Sequence, residues 1–246
     1  MRVALLGLAT LGACSIPEIR LDGKQCPCAE GYACDTLTNL CRPMNDGGGI
    51  VDTPSGTQCL PGSTVEIYRY ASTFDWTSAD NSWTGAAEIV QSSTNAMNAY
   101  AFKVNSELTQ SMGNYRVIST LRPTTLGAGN PSLGIVLRAQ LSLQNKSRYA
   151  CNWVTKAREL RIDATNGGNT VTLGMASVPG ASQDAPVTME AAITGNPPTL
   201  SCCLREYSTA RVMSVMDPGT PIETGYPGLG TDRMAAAFPS FVVLQP

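Results

Sequence analysis

Nine cysteines and no histidine set the chemistry open to this 246-residue chain. The thiols stand at Cys14, Cys26, Cys28, Cys34, Cys41, Cys59, Cys151, Cys202 and Cys203, and a cysteine can bridge to another, hold a metal as thiolate or carry an acyl group. Without histidine there is no Ser-His or Cys-His nucleophile and no imidazole-held metal, which removes the common catalytic zinc arrangements. A zinc site on Cys26, Cys28, Cys34 and Cys41 is the alternative to bridges there, but CxC followed by gaps of five and six residues is not a repeated CxxC pair. The carboxylates Glu88, Glu159, Asp163, Glu190 and Glu206 are scattered through alternating runs, where a charge belongs to the solvated face. The stretch from Gly225 to Gly230 has no following lysine and opens no helix, so it is not a phosphate loop.

The elements that position these residues begin with a short leader. Val3 to Leu11 is uncharged behind Arg2 and is too short for the roughly 20 apolar residues a membrane span needs. It ends in Leu11-Gly12-Ala13-Cys14, which resembles the lipobox of bacterial lipoproteins. The resemblance implies a signal peptide over residues 1–13, cleavage before Cys14 and a lipid on Cys14. Ordinary secretory cleavage, with Cys14 a free or bridged thiol, keeps export and loses the anchor. Ser15 stands where lipoproteins kept at the inner membrane tend to carry Asp, so the expected address is the outer membrane, with the head periplasmic or at the cell surface. Export makes disulfides the expected state of the eight remaining cysteines. Removing residues 1–13 takes away only Arg2 and moves the formal charge from −2 to −3. With no basic run anywhere, nucleic acid is not an expected partner.

Residues 14–43 hold the lipidated terminus and a Cys-rich segment, CPCAEGYACDTLTNLC, that is too small to bury a core. It is similar to short EGF-like cysteine motifs of exported proteins, which implies a spacer with Cys26 bridged to Cys34 and Cys28 to Cys41. Residues 44–58, rich in Gly, Pro, Asp and Thr, read as a flexible linker. From residue 59 to 246 short β-type runs follow one another, among them 64–70, 86–91, 99–104, 115–121, 133–140, 148–154, 159–164, 170–175, 187–194, 199–206 and 241–244. Asn166-Gly167-Gly168-Asn169 marks a hairpin between two of them. The expected fold class is all-β, an antiparallel two-sheet sandwich. Cys202 and Cys203 are adjacent and face opposite sides of a strand, so each needs its own partner. Cys59 and Cys151 are the two left, one for each.

The order of Phe74-Asp75-Trp76, Ser82-Trp83, Tyr115-Arg116-Val117, Gly134 to Arg138, Tyr149 to Trp153, Glu159 to Ile162 and Gly228 to Thr231 before Phe238 to Val243 resembles the concanavalin A-like, laminin-G-like jelly roll. The last piece reads as a Gly-rich turn followed by a terminal strand. The resemblance implies two stacked sheets, a concave face or rim that holds sugar, and Arg138 turned into the groove. Tyr149 and Trp153 share parity and point to one face. On the concave face they would stack on a sugar ring; as core they would lie inward with Cys151, leaving Asn152 to face out. Arg138, Tyr149, Asn152 and Trp153 are thus the candidate ligand contacts. The Glu-x-Asp-x-x-Glu pattern of the superfamily's glucanases is absent, so no catalytic residue is expected. The expected cofactor is none; calcium at a rim of Asp75, Asp80 and Asp232 is the alternative to turn aspartates that cap local backbone. The reading is a lipid-anchored envelope protein whose head binds carbohydrate or a surface protein. A structural envelope protein comes second, and a glycoside-active enzyme third.

Overall fold

The computed structural model describes residues 32–35, 40–43, 59–71, 75–78, 82–103, 113–140, 147–178, 185–206 and 209–245. Among them every regular element is a strand: β1 (Tyr32–Asp35), β2 (Leu40–Pro43), β3 (Glu66–Arg69), β4 (Thr77–Ser78), β5 (Trp83–Gly85), β6 (Ile89–Gln91), β7 (Ala99–Phe102), β8 (Tyr115–Leu126), β9 (Ser132–Ala139), β10 (Arg148–Val154), β11 (Glu159–Asn166), β12 (Asn169–Ser177), β13 (Val187–Thr194), β14 (Thr199–Glu206), β15 (Thr209–Met216), β16 (Tyr226–Asp232) and β17 (Met234–Leu244). β1 and β2 form a hairpin that sets Cys34 opposite Cys41. The leader, Cys14, Cys26, Cys28, the linker 44–58 and the expected pairings of Cys26 with Cys34 and Cys28 with Cys41 lie outside what the structure describes.

The remaining strands make two antiparallel sheets. One runs β12-β11-β10-β9-β16-β7-β4; the other runs β15-β14-β13-β8-β17-β6-β5, with β3 also paired to β17. The expected sandwich is the observed one. Its alternation follows from period 2: Leu133, Ile135 and Leu137 of β9, Tyr149, Cys151 and Trp153 of β10, and Leu160 and Ile162 of β11 point inward from the first sheet. Val117 and Leu121 of β8, Met189, Ala191 and Ile193 of β13, and Phe238, Phe241 and Val243 of β17 meet them from the second. Asn166 and Asn169 close the β11–β12 hairpin, with Gly167 and Gly168 at φ of 57° and 90°, a conformation that glycine adopts without strain.

The adjacent cysteines divide as parity requires. Cys202 bridges inward to Cys151, joining the two sheets, and Cys203 bridges outward to Cys59, each with Cα atoms 5.9 Å apart. The segment that follows Cys59 lies on the outer side of the eight-strand sheet. There the Glu190 carboxylate accepts hydrogen bonds from the backbone N–H groups of Cys59 (3.0 Å) and Leu60 (3.3 Å). Arg116 donates to the carbonyls of Leu60 and Ser63, both at 2.6 Å. Both side chains are buried, and burial lowers the pKa of Arg116 while Glu190 raises it.

Two expectations are corrected. Gly228 to Thr231 is not a turn but the middle of β16, between β9 and β7. A Cβ on Gly228 would come within 2.3 Å of the Ala101 carbonyl oxygen, so close strand approach, not chain reversal, accounts for glycine there. β4, β5 and β15 carry no run in the sequence reading; the first two are only two and three residues long, and β15 is an exposed edge without clean alternation.

Candidate binding face

The outward side chains of the seven-strand sheet divide into a closed half and an open half. In the closed half Tyr100 and Phe102 of β7 and Tyr226 of β16 stand in a ladder, successive ring centroids 6.0 Å apart and planes within 23°. The Arg148 guanidinium lies 4.4 Å above the Tyr100 ring, a cation–π contact, and burial lowers its pKa. All of these side chains are buried. Gly134 and Gly230 face each other between the halves; a Cβ on Gly134 would fall 1.8 Å from the Cys151 carbonyl oxygen.

The open half is polar and ordered by its own bonds. Arg161 of β11 lies opposite Asn152 of β10 and Met175 of β12, and Asp163 lies opposite Ala150 and Thr172. Asp163 accepts from Asn152 Nδ2 at 2.8 Å and from Thr172 Oγ1 at 2.7 Å. That fixes the Asn152 amide with its Oδ1 acceptor turned away from Asp163. Glu159 Oε2 accepts from Arg161 Nε (2.8 Å) and Nη2 (2.5 Å), with both side chains about 30% exposed. Met175, 62% exposed, adds an apolar flank beside Arg161. The strip therefore offers preset acceptors and donors next to an exposed thioether chain, the two ingredients that a polyhydroxylated ring with C–H faces requires.

Of the four ligand candidates only Asn152 belongs to this strip. Tyr149 and Trp153 are fully buried between the sheets, so they are core and not ring platforms. Tyr149 Oη donates to Asp217 Oδ2 at 2.6 Å and accepts from the Ile222 N–H at 3.1 Å. Burial, with the Asp217 bond next in size, pushes its pKa up to about 12. Arg138 is also removed from any groove. Its φ of 49° swings the side chain away from the sheet face. The guanidinium is spent on carbonyls of three loops, Ile222 at 2.7 Å, Gly195 at 3.1 Å and Gly113 at 2.8 Å from Nε. Its backbone N–H donates to Tyr115 Oη at 2.5 Å. Arg161, Asp163, Thr172 and Met175 were not among the candidates; the parity of Arg161, Asp163 and Thr172 with Asn152 follows from the hairpin that joins β11 to β12, whereas Met175 reaches the same face only through a β-bulge in that ladder.

The proposed calcium carboxylates are engaged elsewhere. Asp75 is paired with the buried ammonium of Lys103, and Asp232 accepts from the Asn98 N–H and from Arg233 Nε at 3.1 Å. Asp80 lies outside the described residues, and among the described residues no group of three or more His, Cys, Asp or Glu is placed to hold a metal.

No family model matches the chain, and no curated protein matches it in sequence. Solved structures do. The carbohydrate-binding module CBM66 from Bacillus subtilis superposes with a TM-score of 0.51 at 14% identity, over 66% of this chain and 91% of that one. The seed lectin of Lotus tetragonolobus gives 0.49 at 9% identity, over 72% of this chain and 96% of the lectin. The fold is an antiparallel two-sheet jelly roll. Within this jelly roll the polar strip occupies the outward face of β10 to β12, and the chain entering at Cys59 occupies the outward face of the other sheet.

Proposed function

We propose that the jelly roll binds a neutral glycan through the outward face of β10 to β12, and that it does so as an exported, lipid-anchored protein. The observation that carries the reading is the Asn152–Asp163–Thr172 bond set, which orders polar groups on an open face at no benefit to the core. The formal charge there is −1, Arg161 against Glu159 and Asp163, so a neutral hydroxylated ring suits the strip better than a polyanionic chain. The name of the Bacillus subtilis module, a carbohydrate-binding module of the same fold, supports the ligand class. The lipobox-like Leu11 to Cys14 supports the anchor. At about 0.8 kcal/mol per buried CH₂, two or more acyl chains on Cys14 hold a protein at a bilayer stably.

A surface protein that contacts another protein, with no small ligand, is the second reading. It is favoured by the burial of every aromatic on the outward face of the seven-strand sheet, Tyr100, Phe102 and Tyr226. A glycan array probed with the folded protein separates the two. Reproducible binding that is lost in Asn152→Ala supports the first, and silence across neutral glycans from folded protein overturns it. Release of the protein from the membrane fraction by Cys14→Ala is the expected outcome for the anchor; retention after a salt wash would exclude it.

A further inference from the structure

At the tip of the β11–β12 hairpin a side-chain amide, a backbone N–H and a hydroxyl meet. Asn166-Gly167 is the one Asn-Gly step of the sequence, and residues 166 to 169 are all exposed. Asn166 lies opposite Asn169 where the ladder closes, and Gly167 takes a φ of 57°. Ser147 precedes Arg148, the residue opposite Thr165, and so comes level with Asn166. Its carbonyl accepts from the Gln140 N–H at 3.1 Å, which ties it to the end of β9. Its hydroxyl makes two bonds of 3.2 Å, donating to Asn166 Oδ1 and accepting from the Gly167 N–H. The result is a relay, N–H to O–H to O=C, that joins the backbone nitrogen after Asn166 to the side-chain carbonyl of Asn166 itself.

We propose that Asn166 is a self-modification site, at which the Gly167 nitrogen attacks the Asn166 amide with Ser147 as proton bridge, giving a succinimide and then an acidic residue. Glycine leaves the attacking nitrogen unshielded by a side chain of its own, and a Cβ at Gly167 would have nothing within 4 Å, so that side of the turn is open. As the N–Cγ bond forms, the Gly167 N–H proton passes to Ser147 Oγ while the Ser147 proton passes to Asn166 Oδ1, and no charge builds up on either reacting group. The tetrahedral carbon then returns its hydroxyl proton to the amide nitrogen, which leaves as ammonia and closes the five-membered imide. Water opens either imide carbonyl and leaves aspartate or isoaspartate at position 166. One water is consumed, one ammonia is released, and Ser147 ends as it began. Both products place a negative charge at the hairpin tip, and isoaspartate also lengthens the main chain by one carbon where Asn166 and Asn169 close the ladder. No step involves the polar strip or its ligand, so the inference stands apart from the proposed function.

Ageing of the purified full chain at mildly alkaline pH, read by peptide mass spectrometry and by isoaspartate methyltransferase labelling, tests the proposal. The expected result is conversion at Asn166 ahead of every other asparagine, and faster in the folded protein than in the same chain unfolded in urea with its disulfides intact. Ser147→Ala slows conversion of the folded protein about tenfold, and Ser147→Thr, which keeps the hydroxyl, restores it. Circular dichroism and melting temperature show whether each variant keeps its fold; should Ser147→Ala melt, the comparison of folded with unfolded chain decides alone. An Asn166 that stays intact, or converts no faster folded than unfolded, overturns the proposal, because the two bonds would then pin the turn without bridging a proton. A folded Ser147→Ala that converts at the unsubstituted rate overturns it as well.

Discussion

Glu190 and Asp163 sit on the outward faces of opposite sheets, and each carboxylate receives two hydrogen bonds. Their consequences differ because of what lies above them. The chain crosses over Glu190, which binds the main chain of Cys59 and Leu60, loses its water and becomes part of the fold, with Arg116 gripping the same segment from its carbonyl side. No described segment crosses Asp163; it binds the side chains of Asn152 and Thr172 and stays half-exposed. A polar group on an outer strand face thus becomes part of the fold or stays available at the surface according to whether its own chain covers it. Burial, not the residue type, decides.

Mutations break or sharpen that contrast. Trp153→Ala, on the inward side of β10, sets the scale: removal of a fully buried indole costs about 3–5 kcal/mol, read from urea unfolding. Glu190→Ala follows at about 3 kcal/mol, because it strands two backbone donors and a buried arginine; a loss below about 0.5 kcal/mol would erase the distinction between the faces. At the end of the sandwich, Tyr149 provides an alkaline signature. Its folded pKa of about 12 lies above its ordinary value of 10.0, so the protonated phenol stabilises the fold fully below pH 10 and that contribution drains away as pH climbs toward 12. Melting temperature therefore falls over that window, and Tyr149→Phe makes the fall shallower. Asp163→Ala has the smallest effect on stability, under about 1 kcal/mol for a half-exposed group, yet lowers glycan affinity at least tenfold by releasing Asn152. A variant that unfolds instead would move Asp163 into the class of Glu190.

Much of the fold was legible because period 2 survives wherever one face is buried. The runs at 148–154, 187–194 and 199–206 match β10, β13 and β14 to the residue. The vicinal cysteines could be assigned to opposite sides from alternation alone, and Cys59 and Cys151 are indeed their separate partners. β16 was illegible because its glycines answer to neighbouring backbones, which a linear reading cannot place. For the site, parity put Tyr149, Cys151 and Trp153 together and Asn152 opposite, and the Cys151 bridge is the signal that their side is the interior. Arg138 misled because its direction came from the resemblance alone, and a positive φ turns the side chain off that strand position. Arg161, Asp163 and Thr172 were within reach of the same parity argument, carried one hairpin further from Asn152, but Met175 was not, because a β-bulge shifts its register.

The bridge at Cys59 also fixes how the jelly roll meets a mechanical load. Tension on the chain before Cys59 does not reach β3 first; it enters β14 through the sulfur of Cys203. One residue away, Cys202 passes the pull through Cys151 into β10 of the other sheet. The load is therefore shared by two interior strands, β14 and β10, through covalent links instead of resting on one edge strand.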